Sequence, residues 1–503
     1  MHRGALSTLS QLAAPESGFD VDGETTAWLE RVRRLQHAQF PVPANLNAEL
    51  RDYQRTGYEW LSRLAELGLG ACLADDMGLG KTLQIIALLL ARPGRALVVA
   101  PTSVCLNWAR EIARFAPDLR VLEYLGKRRS AELDDFLGAG PGVVITSYAL
   151  LQQDAHELAQ PEWDAVVLDE AQFIKNASSL RAKAAYGLNA RVRIVATGTP
   201  LENHLGDIWS LFRFLNPGLL GDWKSFRREF LRPIEQDRDE TVREELRRRL
   251  EPYVLRREKT AVAAELPALT EIVHEVRFSD DEKLRYALLR KQIHEKLFGP
   301  GRRENKLEVL AEITRLRRFC CHQRLIFPDA EPESAKVTAF LDLAEELAEN
   351  RHRALVFSQY VDFLSLVREE LDERQIGYEY LDGSVPKAER QRRVDAFQAG
   401  DRPLFLISLK AGGFGLNLTA ADYVIHLDPW WNPAVEAQAT DRAHRIGQER
   451  PVTVYRLLVR DSIEESVTEL HARKRELAAA LLDGSDRVAE LDTESLIALL
   501  DHG

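Results

Sequence analysis

Short runs of Val, Ile and Leu recur along the chain, separated by stretches in which apolar residues return every three or four positions. The first set is ACLAD (71–75), ALVVAP (96–101), GVVITSY (142–148), AVVLDEA (165–171) and RIVATGT (193–199). The second is ALVFSQY (354–360), YEYLDGS (378–384), LFLISLKAG (404–412), YVIHLD (423–428) and TVYRLL (453–458). Apolar runs without alternation mark strands buried on both faces, as parallel strands under crossover helices are. The pattern predicts an α/β fold with two parallel-sheet domains in tandem. A single ten-stranded sheet is the competing arrangement, and open twisted sheets rarely exceed ~10 strands.

Between the sets, residues 204–335 read as helices rich in Arg and Glu. The stretch 224–259 holds 12 basic and 9 acidic residues, and 302–324 holds 7 and 3. Most such charges pair along solvated helix faces, yet their positive balance opposes that of the whole chain. LPALTEIVHEVRFS (266–279) is the extended run here, and it could bridge the two sets.

Composition narrows the class. The 503 residues carry 67 Lys and Arg against 78 Asp and Glu, a net charge of −11, with 45% hydrophobic and 29% charged residues. That is a globular mixture with room for several domains. No apolar stretch is long enough to span a bilayer, and the broken apolar run at the N-terminus does not read as a signal peptide. Four cysteines without a CxxC pair exclude a disulfide framework or a zinc ribbon and point to a reduced cytoplasm. The net negative charge weighs against a polyanionic partner until motifs say otherwise.

CLADDMGLGKTLQ (72–84) follows an apolar strand and precedes an apolar helix. A turn there aims backbone N–H groups and a helix N-terminus at an anion. Gly78 and Gly80 let the backbone approach phosphate, Lys81 can reach the β/γ-phosphates, and the Thr82 hydroxyl can ligate Mg²⁺. The strict pattern has glycine where this chain has Asp75, so the match is partial. The strand AVVLDEA ends in Asp169 and Glu170, at the sheet edge where open α/β folds bind ligands. One carboxylate can hold Mg²⁺ while the next orients or deprotonates a water. The two motifs together point to nucleoside triphosphate hydrolysis.

From about residue 48 to about residue 480 the chain resembles the SWI2/SNF2 family of superfamily 2 helicase-like ATPases, whose nucleotide loop reads DDMGLGKT, as here. LRDYQRTGYEWL (50–61) is similar to the adenine-recognition segment, which assigns Gln54 to the adenine edge. VAPTSVCLNW (99–108) and ITSY (145–148) resemble first-lobe motifs for the DNA backbone. DEAQ (169–172) stands where the family more usually has DEAH, so Gln172 would couple the lobes differently. ATGTPLEN (196–203) resembles the segment linking ATP state to lobe movement, with Thr197 and Thr199 as donors. VFSQY (356–360), YLDGS (380–384), SLKAGGFGLNLTAADYVIHLDPWWNP (408–433) and QATDRAHRIGQ (438–448) follow in the family's order.

The resemblance implies two RecA-like lobes with helical insertions between them. It divides the chain into 1–45, an unassigned segment; 46–266, the first lobe; 267–335, a linker and helical protrusion; 336–482, the second lobe; and 483–503, a tail. It implies ATP bound through Gln54, Asp76, Gly78, Gly80, Lys81, Thr82, Gly415 and Gln438, with Mg²⁺ on Thr82 and Asp169. Gly412, Gly413 and Gly415 would give a tight path beside phosphate. Glu170 would orient the water, and Arg442 and Arg445, i,i+3 on one helix face, would act as arginine fingers across the cleft. The implied activity is translocation on double-stranded DNA, gripped through phosphates, by a monomeric, cytoplasmic, prokaryotic-type motor that is nucleoid-associated and remodels protein–DNA complexes. Strand separation, action on RNA, and remodelling of a protein complex such as stalled RNA polymerase are the alternatives. The chain could also be the motor half of a longer protein.

Overall fold

The computed structural model describes residues 23–36, 38–198, 205–237, 239–262, 266–298, 306–330, 333–400, 402–409, 416–430 and 433–468. Among them, those before Ala264 form one compact unit and those after Glu265 another.

The first unit is built on β1 (Ala71–Leu73), β2 (Arg95–Ala100), β3 (Val121–Glu123), β4 (Gly142–Ser147), β5 (Trp163–Asp169), β6 (Ala190–Ala196) and β7 (Val254–Leu255). Its described strands form one sheet in the order β3-β4-β2-β5-β6-β1-β7, and every pairing is parallel. Jumps in that order require crossovers, and the helices between strands make them. β4 is buried throughout, β2 beyond Arg95, and β5 at Trp163, Val166, Val167 and Leu168, which explains the uninterrupted apolar runs in the sequence. Trp163, Val166, Leu168, Val195, Phe214 and Phe226 share the core of this unit. A smaller cluster joins Val32 and Leu35 of the Gly23–Gln36 helix to Leu67, and Arg63 Nε donates to the Leu35 carbonyl at 3.0 Å.

The second unit holds β8 (Leu269–Val276), β9 (Ala354–Ser358), β10 (Tyr378–Leu381), β11 (Leu404–Ser408), β12 (Tyr423–His426) and β13 (Val452–Val459). Its order is β10-β11-β9-β12-β13-β8, again parallel throughout. Two separate sheets exclude the single-sheet alternative. The run at 266–279 does not bridge the units: it is β8, paired residue for residue with β13 from Leu269–Val452 to Val276–Val459. Its side chains are mostly exposed, as an edge strand allows. That is why its apolar pattern was too weak to place it.

Much of the positive charge expected between the sets is neutralised locally. In the Glu240–Leu250 helix, Arg248 pairs with Glu244 and Arg249 with Glu245, both i,i+4. In the Lys306–Cys321 helix, Arg315 pairs with Glu312 and Arg318 with Asp362. Arg317 is only 2% exposed and donates to the Pro429 carbonyl, so it is a structural cation rather than a surface one. In the core of the same unit Lys336 Nζ donates to both Glu464 oxygens at 2.6 and 2.7 Å, each residue out of contact with solvent.

Candidate nucleotide site

In the first unit, Ala196 of β6 lies in register with Leu73 of β1 on one side and Asp169 of β5 on the other. The three strands therefore end level, and the turn after Leu73 sits on the same carboxyl edge as Asp169 and Glu170. Ligands of open parallel sheets bind at such an edge.

The turn 75–80 leads into the Lys81–Ala91 helix, whose first amides face the turn. Gly78 and Gly80 have φ of 84° and 75°, the left-handed region. Gly80 is needed twice over, since a Cβ there would stand 2.4 Å from Gln54 Nε2. Gln54 is buried: its Nε2 donates to the Leu79 carbonyl at 3.1 Å and its Oε1 accepts from the Arg51 amide. Tyr53 Oη donates to the same Leu79 carbonyl at 3.1 Å. Lys81 Nζ donates to the carbonyls of Asp75 and Asp76 at 2.6 and 3.1 Å, folded back over the turn. Thr82, half-buried, is the second residue of the helix.

Asp169 is held from three directions. Trp108 Nε1, in the Thr102–Phe115 helix, donates to its Oδ2 at 2.7 Å, and the Glu170 amide donates to Oδ1 at 3.0 Å. Tyr148 Oη donates to its carbonyl at 2.9 Å, and the Tyr148 ring stacks on Phe173, 5.1 Å away. Burial pushes the Asp169 carboxyl above its usual range; the Trp108 hydrogen bond, the Lys81 charge and the Glu170 amide oppose that rise. Glu170 has a left-handed φ of 51°, a strained setting for a non-glycine residue, and strain of that kind gathers at functional sites. Its Oε2 accepts from Gln172 Nε2 at 3.1 Å, so the glutamine of DEAQ orients its carboxylate. Thr197 is buried just past β6, its amide bonded to the Leu73 carbonyl. Thr199 lies outside the described residues.

Sequence reasoning placed Asp169 and Glu170 but missed what supports them. Trp108 and Tyr148 fall within segments whose resemblance pointed only to DNA, and nothing local links an indole to a carboxylate 61 residues on. Arg257 was also missed, and it grips Asp75 through both carboxylate oxygens.

In the second unit, Gly412, Gly413 and Gly415 lie outside the described residues. Gln438 sits, half-buried, on the Pro433–Thr440 helix. The arginine pair requires a correction: Arg442 and Arg445 do not share a helix face. The helix ends at Thr440, and the chain continues in turns closed by Arg442 N–Ala439 O and Ala443 N–Thr440 O bonds. What ends the helix is tertiary. His444 Nε2 lies 2.8 Å from the Pro267 carbonyl, and the Gln448 amide donates to the Ala421 and Ala443 carbonyls at 2.7 and 3.0 Å. Arg442 is buried with its guanidinium 5.5 Å from the Phe357 ring centroid, whereas Arg445 is half-buried. Behind them His426 is fully buried, which lowers its pKa to about 3 and keeps it neutral. Asp428 accepts from Ser358 Oγ and Gln359 Nε2.

The chain is similar to known proteins over most of its length. The SNF2-related domain matches residues 53–325, and the Helicase conserved C-terminal domain matches residues 335–447. The putative ATP-dependent helicase/translocase YwqA of Bacillus subtilis (strain 168) is 38% identical over 95% of this chain and 54% of its own length. The ISWI chromatin-remodeling complex ATPase CHR11 of Arabidopsis thaliana is 36% identical over 92% of this chain and 46% of its own. The chain thus spans about half the length of the curated relatives it matches. The Sulfolobus solfataricus SWI2/SNF2 ATPase core in complex with dsDNA is 34% identical, covering 93% of this chain and 100% of that one, with a TM-score of 0.46. With one family domain matched across more than half of the residues, and the nucleotide-type turn and the paired acids both inside it, the chain belongs to the SNF2-related family.

Proposed function

We propose that this chain is a Mg²⁺-dependent ATPase stimulated by duplex DNA, a translocase that displaces or remodels protein–DNA complexes without sustained strand separation. The observation that carries the reading is the common register of Leu73, Ala196 and Asp169, which sets a phosphate-type turn and two acids on one sheet edge. In this reading the 76–82 amides, Lys81 and Thr82 hold the phosphates, Gln54 the base, and Gln438 and Gly415 further parts of the nucleotide. Glu170, oriented by Gln172, accepts the proton of the attacking water. Arg442 and Arg445 are assigned to the charge that develops on the γ-phosphate.

The donor set suits Mg²⁺. Among the described residues no three His, Cys, Asp or Glu side chains cluster as a dedicated cage. Mg²⁺ characteristically takes one or two protein oxygens and fills the rest from phosphate and water. Thr82 and Asp169 would hold it, and a cation there would offset the desolvation cost of the Asp169 carboxylate. When bound, the ion would neutralise charge on the β- and γ-phosphates.

Double-stranded DNA is the proposed partner because the relatives this chain matches are named as a putative ATP-dependent helicase/translocase and as chromatin-remodeling complex ATPases. The chain's charge of −11 makes salt dependence informative, since a few phosphate-facing cations must carry the contact. RNA polymerase remains the second candidate partner, and a monomer the proposed assembly. Among the described residues no helix is long and apolar enough to cross a membrane.

The test is ATP hydrolysis at two salt concentrations with duplex DNA, single-stranded DNA or RNA added. Stimulation by duplex alone, weakening with salt, is expected; stimulation by RNA or single strands would favour a helicase instead. Glu170→Gln should bind ATP and fail to turn it over, and wild-type turnover by this variant would remove Glu170 from its role.

A further inference from the structure

A strict phosphate turn has glycine where this chain has Asp75, and the Asp75 side chain is completely buried. A carboxylate out of water needs a partner that satisfies both oxygens. Arg257 does this from 182 residues further on: its Nε donates to Oδ1 at 2.8 Å and its Nη2 to Oδ2. Such a planar fork fixes orientation as well as charge. The same guanidinium donates to Gln84 Oε1 at 2.8 Å and to the Tyr53 carbonyl, with its centre 5.2 Å from the Tyr53 ring centroid. One cation thus joins the turn, the helix that follows it and the segment carrying Gln54.

The backbone around Arg257 repeats the attachment. The Ala74 amide donates to the Leu255 carbonyl at 2.7 Å, the Asp76 amide to the Arg257 carbonyl at 3.0 Å, and the Lys259 amide to Asp76 Oδ2 at 3.0 Å. Residues 254–259 therefore run as a strap along 74–76. Gly57, inside the Asp52–Glu66 helix, makes the space: a Cβ there would stand 1.9 Å from Gln84 Oε1 and 2.7 Å from Arg257 Nη2.

We propose that Arg257 is a positioning residue for the phosphate turn, and that the strap it fastens sets the backbone of 75–82 in the path a triphosphate requires. This inference rests on the nucleotide reading of the turn. Arg257 acts through Asp75, whose carboxylate replaces the freedom of a glycine with a fixed anchor.

Arg257→Met alone leaves a buried unpaired carboxylate and destabilises the first unit. The deciding variant is therefore Asp75→Asn with Arg257→Met, which removes both charges, and Arg257→Lys keeps the charge without the fork. Urea unfolding, amide hydrogen exchange across 75–82 without nucleotide, and the KM and kcat for ATP are measured on each. The double variant should regain most of the wild-type stability. It should still exchange at 75–82 faster by about tenfold or more, with KM raised by a similar factor and kcat changed less, an effect of ~1.4 kcal/mol on the turn. Arg257→Lys should fall between the two. Wild-type exchange at 75–82 together with wild-type KM in the double variant would overturn the proposal and leave the fork purely structural. A wild-type protein that hydrolyses no ATP would instead defeat the nucleotide reading, while the exchange comparison would still decide whether Arg257 orders the turn.

Discussion

Replacing Trp108 by Phe removes the N–H donor to the half-buried Asp169 carboxylate and, because the indole is wholly enclosed, also leaves a small cavity. The indole is 0% exposed, and its 2.7 Å hydrogen bond to Asp169 Oδ2 is one of the contacts that oppose the effect of burial on that acid. A hydrogen bond to a charged group contributes about 1.5–3 kcal/mol. If Asp169 holds Mg²⁺, losing that bond both raises the cost of the ionised carboxylate and frees its rotation. The expected loss in kcat/KM for MgATP is roughly tenfold to 150-fold, from the same energy range. The assay is steady-state hydrolysis with Mg²⁺ titrated at fixed ATP, beside urea unfolding to subtract any general destabilisation. The half-saturating Mg²⁺ concentration should rise. A stable Trp108→Phe protein with unchanged kcat/KM and Mg²⁺ dependence would refute the argument that the indole positions Asp169 for its task.

Three further outcomes follow from the second unit. Lys336→Met strands Glu464 in the core and should cost about 3–5 kcal/mol, whereas Lys336→Met with Glu464→Leu should recover most of it; equal losses in urea unfolding would contradict a pair that matters as a pair. His426 has its pKa depressed to about 3 by burial, so the unfolded chain takes up its proton first as pH falls and the folded state loses stability. The loss should begin near pH 6.5 and approach ~1.4 kcal/mol per pH unit below it, and His426→Gln should flatten the slope in unfolding at pH 7 and pH 5. Arg442→Ala should lower both turnover and stability because the guanidinium packs on Phe357, while Arg445→Ala should lower turnover alone; an arginine finger typically accounts for ~10³–10⁵ in rate, and a smaller effect at both positions would move that role elsewhere.

The sequence alone determined the α/β class, the two sheets, ten of the strands and the residues that gather at the first candidate site. These are local properties: an apolar run is buried on both faces wherever it folds, and a Gly-Lys-Thr turn before a helix presents its amides by its own geometry. Tertiary structure decided the rest. Strands β3 and β7, three and two residues long, are held by their neighbours rather than by any pattern of their own. An exposed edge strand such as β8 carries no core signal, so only its pairing with β13 reveals it. The helix that Arg442 and Arg445 suggested is cut short by Gln448 and His444, whose partners lie elsewhere in the chain. Trp108, Tyr148 and Arg257 reach Asp169 and Asp75 across 61, 21 and 182 residues, and no spacing rule connects side chains at such separations. The motifs name the groups that would do the chemistry, whereas folding selects the buried partners that hold them in place.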